Sequence, residues 1–208
     1  MDYSLSSPPT KTFQRKIAVL GAKNVGKTTL TIRYVESRFL ESYYPTVENH
    51  FTKLIDFKNQ HFTLEIVDTA GQDESSLLNL KSLAGVRGVI LCYSVVNRST
   101  FDMIPVVWDK LLDQLERDDI PVIIVGNKID LRNDLDNRTV VTKQEGKKLA
   151  NLIRSSDKNI KAGFIECSAK DDTNVGTTFQ KLLKQMELLE ASHGYQEDNG
   201  DDNKCSIM

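Results

Sequence analysis

The segment that most constrains this fold is Gly21-Ala22-Lys23-Asn24-Val25-Gly26-Lys27-Thr28: glycine, four residues, glycine, lysine and a hydroxyl residue. Arg15 to Leu20 before it reads as a buried strand, and Thr29 to Val35 after it carries Leu30 and Tyr34 at helical spacing. A strand that turns into a helix through two glycines lets successive N–H groups converge at the helix N-terminus, where they can cradle phosphate oxygens. Lys27 adds a positive charge between β- and γ-phosphates, and the Thr28 hydroxyl is a hard oxygen ligand for Mg²⁺. An ordinary glycine-rich turn has the same outline. The flanks and the motifs downstream decide between the two.

The rest of the chain supplies a frame for such a loop. Its 208 residues predict one domain, residues 14–190, between a disordered arm at 1–13 and a flexible acidic tail at 191–208. Glu36 to Glu48 is a polar loop containing Tyr43-Tyr44-Pro45-Thr46. His50 to Phe57 and His61 to Val67 alternate as the strands of a hairpin, with Phe62, Leu64 and Ile66 on one face. Val89 to Tyr93 and Pro121 to Val125 are apolar runs of parallel-strand type, and Ala162 to Glu166 is a last short strand. Ser99 to Glu116 is helical, with a break and restart expected at Pro105. Thr142-Lys143-Gln144-Glu145 is a capping box, and Val175 to Leu189 carries the apolar stripe of a final helix. The alternation predicts an α/β fold: a six-stranded, mostly parallel sheet with helices on both faces.

Composition removes several classes. A formal net charge of −2 gives no field for nucleic acid, so no nucleic-acid partner is expected. Three scattered cysteines, Cys92, Cys167 and Cys205, fit a reducing cytosol rather than a disulfide or zinc framework. The N-terminus carries no signal-sequence pattern, and Asp2 excludes myristoylation. His50, His61 and His193 lack metal spacing; Trp108 and Cys92 read as core, Asp109 and Lys110 as solvated.

Four further motifs turn a phosphate site toward guanine. Asp68 ends a strand beside the phosphate loop and can hold Mg²⁺ through water; Gly71 lets its N–H approach a γ-phosphate, and Gln72 can orient an attacking water. In Asn127-Lys128-Ile129-Asp130 the carboxylate can accept from the two N–H groups on guanine's N1 and N2 edge, a pair that adenine lacks. Small residues in Cys167-Ser168-Ala169-Lys170 let backbone N–H groups reach a base. Thr46, in a loop, can offer its hydroxyl to Mg²⁺ and its N–H to a γ-phosphate. Each has a bland counterpart, a strand exit, a charged turn or a loop threonine. Order and spacing carry the reading.

With these motifs in order, the chain resembles a small GTPase of the Ras superfamily from about Gln14 to Leu189, and within it most resembles the Rheb group. Lys23 stands where Rheb proteins carry a basic residue, and Tyr44 to Phe51 is similar to their effector loop. The resemblance implies Gln72, Lys27 and Thr46 as catalytic residues. It implies a nucleotide site of Gly21, Lys23, Asn24, Val25, Gly26, Lys27, Thr28, Thr29, Phe39, Tyr43, Thr46, Gly71, Asn127, Lys128, Asp130, Ser168, Ala169 and Lys170. Thr28 and Thr46 become direct Mg²⁺ ligands and Asp68 an indirect one, with Phe39 covering the guanine edge-on. Tyr43, Tyr44, Pro45, Thr46, Val47, Glu48, Asn49, His50 and Phe51 form the implied effector loop. The implied partners are GTP and GDP, an effector (the TOR kinase complex, in growth or nutrient signalling), an activating protein and an exchange factor. Two departures fall on partner-reading surfaces: Ser75 where these families usually have tyrosine, and Tyr44 where many have aspartate. The bulk and charge of Lys23 are expected to crowd the γ-phosphate side, slowing hydrolysis or excluding an activator's arginine.

The ending Cys205-Ser206-Ile207-Met208 fits a prenylation signal, with methionine favouring farnesyl and implying a prenyltransferase, with methylation of the new terminus. Glu197, Asp198, Asp201 and Asp202 outweigh Lys204, so one lipid acts without a basic patch. Exchange between the cytosol and the cytosolic face of membranes is expected. Other classes stay open at this point: a metabolic kinase with a phosphate loop, a trafficking GTPase of Rab type, a Ras-like GTPase of another pathway, and a scaffold that holds GTP without turnover.

Overall fold

The computed structural model describes residues 12–41, 45–115, 119–134, 140–156 and 159–197. Six strands form one sheet: β1 (Thr12–Leu20), β2 (Glu48–Phe57), β3 (Gln60–Thr69), β4 (Gly88–Ser94), β5 (Val122–Asn127) and β6 (Ala162–Glu166). Their order is β2-β3-β1-β4-β5-β6, with β2 antiparallel to β3 and every other pairing parallel. Among the described residues five α-helices accompany it: α1 (Lys27–Glu36), α2 (Leu80–Leu83), α3 (Arg98–Leu115), α4 (Lys143–Ser156) and α5 (Val175–Glu197). This is the doubly wound α/β sheet that the alternation predicts.

Side-chain alternation on the strands divides the core into two layers. Ile17 and Val19 of β1 join Ile90, Cys92, Ile123 and Val125 on the face covered by α1 and α5, against Leu30, Phe179 and Leu182. Ala18 and Leu20 face the other way, with Leu91, Tyr93, Val122 and Ile124, against Ile104, Val107, Trp108 and Leu111 of α3 and Ala150 and Ile153 of α4. Because sequence order reverses on either side of β1, the crevice at its carboxyl end is where such a sheet offers a binding site. The loop after β1 opens there.

Several expectations change on inspection. The first strand begins at Thr12, not Arg15, because Thr12 and Phe13 pair with His61 and Phe62 and the two phenyl rings lie 5.5 Å apart. The expected arm therefore keeps only residues 1–11, outside the described residues. Gln60 belongs to β3, so the hairpin closes through Lys58 and Asn59 alone, both with positive φ. Helix α3 does not break at Pro105. Buried Ile104, Val107, Trp108 and Leu111 hold it on both sides, while Pro105 stands on the exposed face, where water can serve the Phe101 carbonyl that the ring leaves unpaired. Helix α5 continues past Leu189 to Glu197, into the stretch expected to be disordered. Glu187 and Glu190 on it pair with Arg15, Glu190 also pairs with Arg87, and Gly194 alone costs about 1 kcal/mol, too little to end a helix so anchored.

The capping box forms as read: Thr142 N donates to Glu145 Oε2 at 2.8 Å and Glu145 N to Thr142 Oγ1 at 3.3 Å. Trp108 and Cys92 are core residues. Lys110, read as solvated, is not. Its ammonium reaches from α3 to the carbonyls of Asp73, Glu74 and Ser76. No helix among the described residues is long and apolar enough to cross a membrane. Cys205 lies outside the described residues.

Candidate functional site

A cavity of about 740 Å³ opens at the carboxyl end of β1, lined by residues of five segments. Lys23, Asn24, Gly26, Lys27, Thr28 and Thr29 come from the glycine loop and the start of α1; Phe39, Thr46 and Gly71 from the next two loops; Asn127, Lys128, Asp130, Ala169 and Lys170 from the exits of β5 and β6. The loop's shape follows from its backbone. Gly26 caps α1 with φ +92, and a Cβ there would lie 2.5 Å from Asn127 Nδ2, so only glycine fits. The N–H groups that open α1 are thereby turned toward the cavity with the helix dipole behind them.

Lys27 is buried, and its Nζ donates to the carbonyls of Gly21 and Ala22 at 3.0 Å each, curling the loop around its own cation. Burial pushes its pKa below the ordinary lysine value, opposed by the neighbouring Cys92 and Asp68. Three oxygen side chains converge next to it. Thr28 Oγ1 donates to Asp68 Oδ2 at 2.7 Å and stands 2.8 Å from Thr46 Oγ1, so the Thr46 hydroxyl acts as donor to Thr28. Asp68 is fully buried, its pKa raised by desolvation, and its Oδ1 has no hydrogen-bond partner. A buried carboxylate oxygen without a partner, beside two threonine hydroxyls, is the hard-oxygen chemistry that suits a magnesium ion with part of its water shell.

At the opposite end, Asn127 acts as a staple. Its Nδ2 donates to the Val25 carbonyl at 2.9 Å, and its Oδ1 accepts from Ala169 N at 3.2 Å. Lys128, in the left-handed region at φ +67, donates from Nζ to the Asn24 carbonyl at 2.6 Å. Asp130 faces the cavity with one oxygen held by the Ser168 hydroxyl at 2.7 Å. Ser168 itself is fully buried, so its hydroxyl stands behind Asp130 rather than at the cavity wall. The Val25 side chain likewise sits in the core beneath the loop. Leu40, Glu41 and Leu131 also line the cavity and carried no motif signal.

The loop after β3 packs directly on the glycine loop. Gln72 N donates to the Gly21 carbonyl at 3.0 Å, and Ala22 and Gln72 form a parallel bridge. The Gln72 side chain, expected to face an attacking water, is turned in: it is 7% exposed, donates from Nε2 to the Ala70 carbonyl at 2.8 Å, and does not line the cavity. The bond to Ala70 offsets part of the cost of taking this amide out of water. Above it, a Cβ on Gly71 would lie 2.3 Å from Lys23 Cγ, so the lysine lies across that glycine. Lys23 Nζ then reaches Asp73 Oδ2 at 3.1 Å. Glu48, at the start of β2, accepts from Ser82 Oγ at 2.6 Å and Asn79 Nδ2 at 3.3 Å, joining β2 to the start of α2. Of the expected effector loop, Tyr43 and Tyr44 lie outside the described residues; Pro45, Val47, Asn49 and His50 are exposed, while Thr46, Glu48 and Phe51 are half-buried.

Comparison with known sequences agrees with this geometry. Residues 16–188 match the Ras family. The chain is 61% identical to the GTP-binding protein RHB1 of Saccharomyces cerevisiae over 211 aligned residues, covering 100% of both chains. It is 42% identical to the GTP-binding protein Rheb homolog of Drosophila melanogaster, over 86% of this chain and 91% of that one. Identity to the human GTP-binding protein Rheb is 40%, over 93% of this chain and 97% of the human protein.

Proposed function

The chain is a small GTPase of the Ras family, in its Rheb group, and we propose that it is a switch that engages an effector when GTP-bound and is turned off by its own slow hydrolysis. The convergence of Thr28, Thr46 and the unpartnered oxygen of buried Asp68 next to Lys27 carries this reading. Those three residues would hold Mg²⁺, which when bound neutralises charge on the β- and γ-phosphate oxygens. The Lys27 ammonium and the N–H groups of Gly21 to Thr29 hold the phosphates. Asp130, oriented by Ser168, accepts from the guanine edge, while Asn127, Lys128, Ala169 and Lys170 shape the base pocket and Phe39 covers the ring.

Hydrolysis requires a water to attack the γ-phosphorus while the bond to the β-phosphate oxygen breaks, giving GDP and phosphate. Gln72 orients that water only after leaving its hydrogen bond to Ala70. The Lys23–Asp73 pair and the Lys110 contacts hold the second switch, the loop after β3 at residues 70–79, in the turned-in arrangement, so turnover is slow. Thr46 would link the γ-phosphate and the metal to the effector loop of Tyr43 to Phe51, the first switch, and its release after hydrolysis would free that loop. Val47 and Leu77, each 87% exposed, give the two switches an apolar surface for an effector to cover.

The finer assignments rest on the family. They are growth or nutrient signalling through the TOR kinase complex, control by an activating protein and an exchange factor, and farnesylation and methylation at Cys205 with reversible attachment to the cytosolic face of membranes. Nucleotide binding by the purified chain tests the site directly. GDP and GTP are expected to bind far more tightly than ADP and ATP, and only with Mg²⁺ present at full strength. Equal retention of ATP would overturn the guanine assignment.

A further inference from the structure

Arg33, on α1, belongs to none of the motifs above, yet it touches both walls of the base end of the cavity. Its Nε donates to the Ala169 carbonyl at 2.9 Å and its Nη2 to the Lys170 carbonyl at 3.0 Å. Its Nη1 donates to the Ser37 carbonyl at 3.2 Å, where Ser37 ends α1 in the left-handed region at φ +57. The guanidinium also lies 5.9 Å from the centroid of the Phe39 ring, within cation–π range. One planar fork thus ties the loop after β6 to the segment that leads from α1 to Phe39. Phe39, Ala169 and Lys170 all line the cavity. These contacts span 136 and 137 positions in sequence for the two β6-exit carbonyls.

We infer that Arg33 is a positioning residue for the base: it fixes the distance between Phe39 and the Ala169–Lys170 loop, and so sets how long a guanine nucleotide stays and how strictly its base is read. The inference rests on the guanine-nucleotide reading of this cavity. The chemistry needs arginine. Five donors in a rigid plane can serve three carbonyls at once and still stack on a ring, whereas a lysine ammonium satisfies one direction at a time. Without the fork, the loop after β6 loses its tie to α1. Ser168, which heads that loop and holds Asp130 through its hydroxyl, loosens with it. Both the covering ring and the carboxylate that reads the guanine edge are then less well placed. Arg33 is half-buried, so water can solvate the freed carbonyls and the chain stays folded when the contacts are lost.

The test uses the full chain loaded with fluorescent GDP or inosine diphosphate in millimolar Mg²⁺, chased with excess unlabelled nucleotide. Inosine lacks the 2-amino group, so the ratio of the two release rates measures how strictly Asp130 reads the base. Arg33→Gln and Arg33→Lys are compared with wild type, the lysine variant keeping charge and bulk should the glutamine variant fold poorly. The expected result is GDP release faster by about tenfold in both variants, with the inosine-to-guanosine ratio moved toward one. GDP release within twofold of wild type in both variants would overturn the inference. Faster release with an unchanged ratio would also overturn it, since that reports general destabilisation. A wild-type chain that fails to retain GDP at all would instead sink the guanine reading, and this inference with it.

Discussion

Lys23 lies across Gly71 and ends 3.1 Å from an oxygen of Asp73, so the phosphate loop grips the second switch directly over the turned-in Gln72. Hydrogen bonds from Ser76, Lys23 and Ser75 hold the Asp73 carboxyl well below the usual carboxylate range, keeping it charged for the lysine at any physiological pH. Both side chains are exposed, at 65% and 47%, so the pair contributes little to overall stability. Lys23→Ala is therefore expected to leave the thermal midpoint within about 2 °C while releasing the second switch. Amide exchange of residues 72–76 checks this. Faster exchange there, at unchanged midpoint, is the expected outcome.

Lys110 makes a separate hold on the same segment through backbone carbonyls rather than a carboxylate. Lys110→Met keeps the packing of the stem and removes the ammonium. Exchange at residues 73–76 should rise by about tenfold, and adding Lys23→Ala should raise it by more than the product of the two single increases, because either tie alone still restrains the shared segment. Strict independence of the two variants would show that they do not hold one switch.

Asp68 is the buried carboxylate of the proposed magnesium site, and its unpartnered oxygen makes it the group with most to lose when the ion is absent. In Asp68→Ala, GDP release in millimolar Mg²⁺ should approach the rate that wild type shows in chelator, and added Mg²⁺ should no longer slow it. A release rate that still falls with Mg²⁺ as in wild type would remove Asp68 from the site.

The capping box carries a pH signature. Arg98 and Thr142 together pull the Glu145 carboxyl down to about 2. A depressed carboxylate stabilises the fold fully above its unfolded value near 4.5 and loses that contribution as pH falls toward 2. Thr142→Ala should cost about 1 kcal/mol at pH 7, with the difference from wild type shrinking below pH 4. Urea denaturation at pH 7, 4 and 3 reads it.

What the sequence made legible is what is local in it. Gly21 to Thr28 and the Asn127–Asp130 segment each lie within a few residues, and each demands a particular turn between strand and helix. The capping box is likewise complete in four residues. The pieces that escaped are those whose meaning lies far along the chain. Lys110 looks like any helix-surface lysine until the second switch, 34 to 37 positions earlier, is folded beneath it. Arg33 looks like a solvated position on α1 until β6 delivers two carbonyls to it. Pro105 misled because its local cost is real, but four buried side chains around it decide the helix. Gln72 follows from the Asp68-to-Gly71 spacing as a residue beside the γ-phosphate, but nothing in that spacing says that its amide bonds to the Ala70 carbonyl instead.

This GTPase is proposed as a timer restrained by its own phosphate loop. Single-turnover GTP hydrolysis by the purified full chain with Mg²⁺, wild type beside Gln72→Leu and Lys23→Gly and with ATP as control, tests it most directly. The expected result is slow turnover of GTP only, lost in Gln72→Leu and several-fold faster in Lys23→Gly, where the grip on Asp73 is gone. An unchanged rate in Lys23→Gly, or turnover of ATP as fast as GTP, would contradict it.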